Sequence, residues 1–248
     1  MVEGYNRSLT IFSPDGHLFQ VDYAQEAVKK GSNVIGIKGK DCVVLGVEKK
    51  SVSALQDDRV LRKIFSINED VILSYAGLSA DARVLINYVR QEVESYRLSC
   101  DEKPSVTNVA RMIADIKQDY TITGGRRPFG VSMIIAGFDF NGCPSIFKTE
   151  PMGTFFEYKA VAIGRSDKAV MEYLEANYNE ESTKDEASVL KLAVKALTLV
   201  VQSGADIELS VVRMDKPPEC VHRSVPVEEI SEMVKKIQDE KEQELKQD

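Results

Sequence analysis

The order of apolar patterns along the chain predicts an α+β fold, a four-layer αββα sandwich of two antiparallel sheets, each covered by helices. Strand-like runs come first, and two helical segments, further strands, two more helical segments and a last strand follow. Because strands do not alternate singly with helices, a doubly wound parallel sheet is disfavoured. No linker or change of composition divides the 248 residues, which indicates one domain.

The first half of the chain opens with a turn and a helix. The Ser-Pro-Asp-Gly run at 13–16 is typical of a β-turn, because proline presets φ and glycine accepts a positive φ. Apolar residues at helical spacing predict a helix over 18–30, which Gly31 ends. We expect Ser13 and Asp15 to cap that helix. Short apolar runs then predict strands over 34–38, 42–47, 64–67 and 71–76, and the helix pair spans 79–96 and 106–120.

The second half repeats this pattern. Strands are predicted over 131–138, 145–149 and 154–163, separated by turns that contain glycine. A second helix pair is predicted over 166–178 and 184–203. A strand over 207–213 precedes a Pro-Pro pair, and a helix over 227–245 closes the chain. This last helix is amphipathic only as far as Ile237.

Composition excludes several classes of function. The net charge of −7 argues against a nucleic-acid surface, and no run approaches the roughly 20 apolar residues that a membrane span needs. Glycines at 36–39 and 124–125 lack the spacing of a phosphate-binding loop. We therefore expect no nucleotide cofactor, and a reducing compartment in which the thiols stay free. The cysteines are too far apart in sequence for a zinc site: Cys42, Cys100, Cys143 and Cys220.

Few single residues indicate chemistry by themselves. Only two histidines exist, His17 and His222, and neither lies near another soft ligand in sequence, so no metal is expected. The Arg126-Arg127 pair is interpreted as part of a solvated turn. By residue type alone, Lys63 is expected to be a lysine at the rim of the domain.

The front of the chain is specific enough to suggest a family. Its pattern is Tyr-x-Arg, then Thr-x-Phe-Ser-Pro-x-Gly, then Gln-Val-acid-Tyr-Ala, over 5–24. This pattern resembles the signature of proteasome alpha-type subunits. Segments 77–83, 127–132 and 162–164 agree with it in the same order, so that the resemblance covers about 5–234. Within the family, the chain looks most like the alpha type-7 class.

This resemblance implies a fold and a set of partners. The fold is the αββα sandwich of the N-terminal-nucleophile hydrolases. The partners are other alpha-type subunits in a seven-membered ring, a ring of beta-type subunits in the 20S core particle, and a regulatory ATPase particle or other activators. Neither a cofactor nor a nucleic-acid or membrane partner is implied. The expected role is ubiquitin-dependent protein degradation in the cytoplasm and nucleus.

The resemblance also implies that the chain is not itself a protease. Beta-type subunits use an N-terminal threonine, whose free α-amino group helps to take the proton. The matching position here is Ser32, which 31 residues precede. Glu48 and Lys63 lie near the positions of the beta-type acid and lysine. The alternative function is a self-processing amide hydrolase with Ser32 as nucleophile, and a third is a stand-alone peptide-binding module.

Two groups of residues take roles from the family. The resemblance implies a gate segment at 1–12. The composition of the chain itself indicates a single domain at 13–237 and a charged C-terminal extension at 238–248. The gate residues are Tyr5, Asn6, Arg7, Pro14 and Tyr23, and Asn6 departs from the aspartate that is common in the family. The residues expected to dock the C-terminal tails of activators are Lys63, Gly31 and Leu78.

Overall fold

The computed structural model describes residues 10–49, 62–201, 204–216 and 219–244. Along the chain the strands are β1 (Val34–Lys38), β2 (Cys42–Glu48), β3 (Ile64–Ser66), β4 (Val71–Gly77), β5 (Val131–Phe138), β6 (Pro144–Thr149), β7 (Phe155–Glu157), β8 (Ala160–Ile163), β9 (Ile207–Lys216) and β10 (Glu219–Ser224). The helices are α1 (Phe19–Lys29), α2 (Ser79–Cys100), α3 (Val106–Ile122), α4 (Asp167–Asn177), α5 (Glu186–Leu197) and α6 (Val227–Glu244).

The strands form two antiparallel sheets, which confirms the predicted fold class. The first sheet has the order β10-β9-β2-β1-β8, and the second has the order β3-β4-β5-β6-β7. Helices α4, α5 and α6 pack on the outer face of the first sheet, and α2 and α3 pack on the outer face of the second. None of the helices in these described residues is long and apolar enough to cross a membrane.

Strand β2 shows why the four layers form. Its alternate residues Val43, Leu45 and Val47 point into the core between the two sheets, whereas Cys42 and Val44 point toward the helices. Both faces of the strand are therefore apolar and buried. A sheet with two apolar faces needs a layer on each side, and here the second sheet and the helices supply those layers.

The predicted strand over 154–163 was wrong, because the structure divides it between the two sheets. Strand β7 pairs with β6 in the second sheet, and β8 pairs with β1 in the first. The crossing falls between two adjacent residues. The backbone N–H of Tyr158 donates to the carbonyl of Ile146 at 2.9 Å, and the carbonyl of Lys159 accepts from the N–H of Lys38 at 2.9 Å. The pattern of apolar residues does not show which sheet a short run joins.

Strand β10 was not predicted from the sequence. It is the edge strand of the first sheet, and the side chains of residues 221–224 are exposed. An exposed edge strand buries little apolar surface, so its sequence lacks the apolar alternation that predicts a strand. Two helices also differ in length from prediction. Helix α2 continues to Cys100, after which Asp101 takes a left-handed conformation, and α5 ends at Leu197.

Candidate functional site

Polar residues from separate elements meet at one end of the sandwich. Ser32 and Asn33 precede β1, Glu48 ends β2, and Lys63 precedes β3. Because β1 and β2 are antiparallel, with Val34 opposite Val47, the start of one strand lies beside the end of the other. Arg165 comes from the loop that follows β8. We call Ser32, Asn33, Glu48, Lys63 and Arg165 the strand-end cluster.

The cluster is held by charged and neutral hydrogen bonds. The ammonium of Lys63 donates to the hydroxyl of Ser32. The buried carboxylate of Glu48 accepts from the backbone N–H of Asn33 at 3.1 Å and from its side-chain Nδ2 at 2.8 Å, both on Oε2. The other oxygen of Glu48 accepts from the guanidinium of Arg165. The side-chain oxygen of Asn33 in turn accepts from the backbone N–H of Ser166 at 2.8 Å.

This arrangement pairs a hydroxyl with an amine, as nucleophilic catalysis requires, but it does not expose the hydroxyl. Ser32 is 3% exposed, so a peptide has no access to its Oγ. Its backbone nitrogen is in peptide linkage to Gly31, and therefore it supplies no free α-amino group. Gly31 is itself held from both sides, because its N–H donates to Val28 and its carbonyl accepts from Arg165. The geometry does not support the alternative of a self-processing hydrolase.

Helix α1 covers this end of the sandwich. Its buried residues Val21, Ala24 and Val28 lie on one face at helical spacing, and the helix packs against β4 and β5. The turn before it is confirmed: Gly16 has a φ of 81°, and its N–H donates to the carbonyl of Ser13 at 2.9 Å.

The predicted capping of α1 by Ser13 and Asp15 was wrong. The helix begins at Phe19, after Leu18 in the cap position, and no side chain of the described residues caps it. The turn ends before the first residue of the helix, so its side chains are out of reach. The hydroxyl of Ser13 instead closes the turn by accepting from the backbone N–H of His17 at 3.0 Å.

The three residues expected to dock activators lie together. A Cβ built on Gly31 would be 2.4 Å from the backbone nitrogen of Gly77, which shows how closely the two chain segments approach. Leu78 follows Gly77 directly, and its side chain is 46% exposed. Lys63 reaches the neighbour of Gly31 through its bond to Ser32. Three positions far apart in sequence thus share one end of the sandwich.

The gate residues are described only in part. Tyr5, Asn6 and Arg7 lie outside the described residues. Pro14 is exposed in the turn before α1, and Tyr23 is on the exposed face of that helix.

An ion pair beside Leu78 was missed by the sequence analysis, which placed Arg127 in a solvated turn. The guanidinium of Arg127 donates to both carboxylate oxygens of Asp81, and the N–H of Gly130 donates to the same carboxylate at 3.0 Å. The hydrogen bond from Arg127 lowers the pKa of Asp81. Neighbouring Arg126 lies over the ring of Tyr120, with its guanidinium carbon 5.1 Å from the ring centre. The one available signal was an acid, Asp81, on the otherwise apolar face of α2.

Two family models together match residues 5–212 of the chain. The model of the proteasome subunit family matches residues 28–212, and the model of the N-terminal signature of A-type proteasome subunits matches residues 5–27. The chain belongs to the proteasome alpha-type subunit family. This confirms the resemblance on which the sequence analysis relied. The chain is accordingly a non-catalytic alpha-type subunit, in agreement with the burial of Ser32.

Curated alpha-type subunits are similar over almost their full length. The alpha type-7 proteasome subunit of Caenorhabditis elegans is 54% identical over 238 residues, which cover 96% of this chain and 94% of that protein. The alpha type-8 proteasome subunit of Mus musculus is 53% identical over 218 residues, which cover 88% and 87%. The alpha type-7-1 proteasome subunit of Drosophila melanogaster is 49% identical over 246 residues, which cover 99% and 97%.

Metal ligands do not gather in this alpha-type subunit where the structure describes it. Within residues 10–49, 62–201, 204–216 and 219–244, no three His, Cys, Asp or Glu side chains lie close enough to hold a metal ion. Of the cysteines, Cys42 is buried, and burial raises the pKa of its thiol to about 12.

Proposed function

We propose that this alpha-type subunit takes part in a seven-membered ring of alpha-type subunits, that this ring stacks on beta-type subunits in the 20S core, and that the subunit docks activators. The observation that carries the docking role is the meeting of Gly31, Lys63 and Leu78 at one end of the sandwich. They combine an ammonium, an exposed apolar side chain and a closely approached backbone. A C-terminal tail offers a carboxylate and apolar side chains that match them.

The ammonium of Lys63 suits this role because of how it is held. Its hydrogen bond to the hydroxyl of Ser32 orients the side chain. An ammonium forms charge-assisted hydrogen bonds with a carboxylate. A hydrogen bond between charged groups contributes about 1.5–3 kcal/mol. This contribution from one pocket is large enough to be detected when the lysine is removed.

Particles that carry Lys63→Ala test the proposal. They are expected to assemble normally and to lose the stimulation that an ATPase activator gives through this pocket. Lys40→Ala is the matched control, since Lys40 is an exposed lysine in the turn between β1 and β2, at the opposite ends of these strands from the cluster. Activator binding and stimulation equal to those of the parent particle would refute the docking role.

We also propose that residues 1–12 form part of the gate over the axial pore of the ring. The rigid turn at Pro14 and Gly16, directly before α1, supports this role because it holds the base of the segment at a fixed position. Tyr5, Asn6 and Arg7, together with Pro14 and Tyr23, are the residues proposed to stabilise the open arrangement. For the assembled particle we propose a location in both cytoplasm and nucleus, which imaging of the tagged protein would test.

A further inference from the structure

A cavity of about 790 Å³ opens at the end of the sandwich opposite the strand-end cluster. Its position follows from strand register. Cys42, at the start of β2, pairs with Arg213, and Val71, at the start of β4, pairs with Gly137. The lining residues that adjoin these pairs therefore lie far from the starts of β1 and β5. Four parts of the fold surround it: the β3–β4 turn, the α2–α3 loop, the β5–β6 turn and the described residues of the paired strands β9 and β10. We call it the far-end cavity. Its volume lies in the range of pockets that enclose a ligand or several side chains.

The far-end cavity combines apolar surface with negative charge. Phe140 is 64% exposed and Val221 is 39% exposed, and both line the cavity. Among its described lining residues, carboxylates outnumber ammonium groups four to one. The lysine of this lining, Lys103, already donates to Glu69 at 2.5 Å and to Asp70 at 3.0 Å. The other acids of the lining are Glu102 and Asp139. Such a surface is complementary to a segment that carries both positive and apolar side chains.

Strand β10 places an open sheet edge beside this cavity. The first sheet ends on β10, which among the described residues pairs with β9 alone. Residues Cys220 and Val221 of this strand line the cavity. An edge strand presents backbone N–H and C=O groups that can pair with a strand from another chain. The edge and the cavity are therefore one continuous surface.

We propose that the far-end cavity and the edge of β10 together bind an extended, basic segment of a partner protein. The backbone of that segment adds to β10 as a further strand, which gives affinity without dependence on sequence. Its alternate side chains point to the same side, so that apolar ones contact Phe140 and Val221 while lysine or arginine meets Glu102. This surface is separate from the proposed docking site, which lies at the other end of the domain.

A synthetic peptide with the repeat Leu-Ser-Lys-Ser places leucine and lysine in turn on the same face of an extended strand. Labelled with a fluorophore, it tests the proposal by anisotropy on assembled particles. Phe140→Ser and Glu102→Gln are each expected to weaken binding at least about fivefold, as central interface residues do. The matched control is Glu180→Gln, an exposed acid in the loop between α4 and α5. The same peptide with N-methyl groups on alternate residues keeps its charge and cannot pair with β10, so it is expected to bind at least about fivefold more weakly.

The outcomes separate this surface from its alternatives. Equal binding by Glu102→Gln, Phe140→Ser and parent particles would show general attraction to an acidic protein and overturn the proposal. Equal binding by the N-methylated peptide would overturn strand addition. Failure of a correctly folded Phe140→Ser subunit to assemble would show that a neighbouring subunit covers the cavity, which also overturns it. Because Glu102→Gln changes one exposed side chain, it keeps the test decisive even where Phe140→Ser does not fold.

Discussion

Both carboxylate oxygens of Asp81 accept hydrogen bonds from the guanidinium of Arg127, at 2.6 and 2.8 Å. The pair joins the first turn of α2 to the segment that leads into β5. On that segment Gly130 donates its N–H to Asp81 and accepts from the N–H of Leu78 at 3.0 Å. The ion pair is thus linked through Gly130 to the backbone of Leu78, whose exposed side chain is part of the proposed docking site.

Removal of this pair is expected to lower stability. In Arg127→Ala the side chain of Asp81, which is 11% exposed, keeps its charge and the hydrogen bond from Gly130 but loses its charged partner. We expect the free energy of unfolding to fall by about 1–2 kcal/mol, less than for a fully buried pair because Arg127 is largely exposed. Urea unfolding measures the change. Arg111→Ala, at an exposed arginine on α3, is the control and should change stability by less than about 0.5 kcal/mol.

Lys117, unlike the Asp81–Arg127 pair, is expected to lower the stability of the fold, and by an amount that depends on pH. It is fully buried on α3, where its Nζ donates to the hydroxyl of Thr149 at 2.8 Å, and burial lowers its pKa from 10.5 to about 7. Between these two values the unfolded chain binds a proton that the folded chain does not, so this group makes stability rise with pH from about 7 to 10.5. We expect Lys117→Met to stabilise the fold at pH 7 by at least about 1 kcal/mol, after the lost hydrogen bond is counted.

The stability difference between Lys117→Met and the parent chain is the measured quantity. It is expected to shrink as pH rises toward 10. The lysine of the unfolded parent chain is then increasingly neutral, so that loss of its proton on folding costs less free energy. Lys168→Met, at an exposed lysine, should show no such dependence. A difference that stays constant from pH 7 to 10 would contradict the assignment to Lys117.

Gly77 is a position where a larger residue is expected to fail. Its φ is 117°, and a Cβ there would lie 2.2 Å from the carbonyl oxygen of Gly130. We expect Gly77→Ala to destabilise the chain by more than about 1 kcal/mol, because both the conformation and the space exclude a side chain. Thermal unfolding measures this. Gly124→Ala is the control, because its Cβ would meet no atom within 4 Å, and a similar loss there would argue against the steric reason.

Asn6→Asp tests the proposed gate. A carboxylate makes charge-assisted hydrogen bonds that are about twice as strong as those of an amide. If the residue at this position stabilises the open arrangement, the aspartate should raise the peptidase activity of assembled particles without an activator. Hydrolysis of a short fluorogenic peptide measures the effect. Activity equal to that of the parent would count against a gating role for Asn6.

The sequence by itself determined the order of elements and the family. Helices and strands follow from the spacing of apolar residues, which is a local property, and most predicted bounds agree with the structure to within a few residues. The front segment and the later motifs were specific enough to indicate an alpha-type subunit, and both family models agree. Gly31, Lys63 and Leu78 were singled out through that resemblance.

Only the tertiary structure decided how distant segments meet. The division of 154–163 between β7 and β8 depends on two hydrogen bonds to opposite sheets, and the edge strand β10 depends on pairing with β9. Likewise, Arg127 lies 46 residues from its partner Asp81 in sequence, and Thr149 lies 32 residues from the buried Lys117. Such contacts form when layers pack, and the periodicity of one segment carries no information about the segment packed against it.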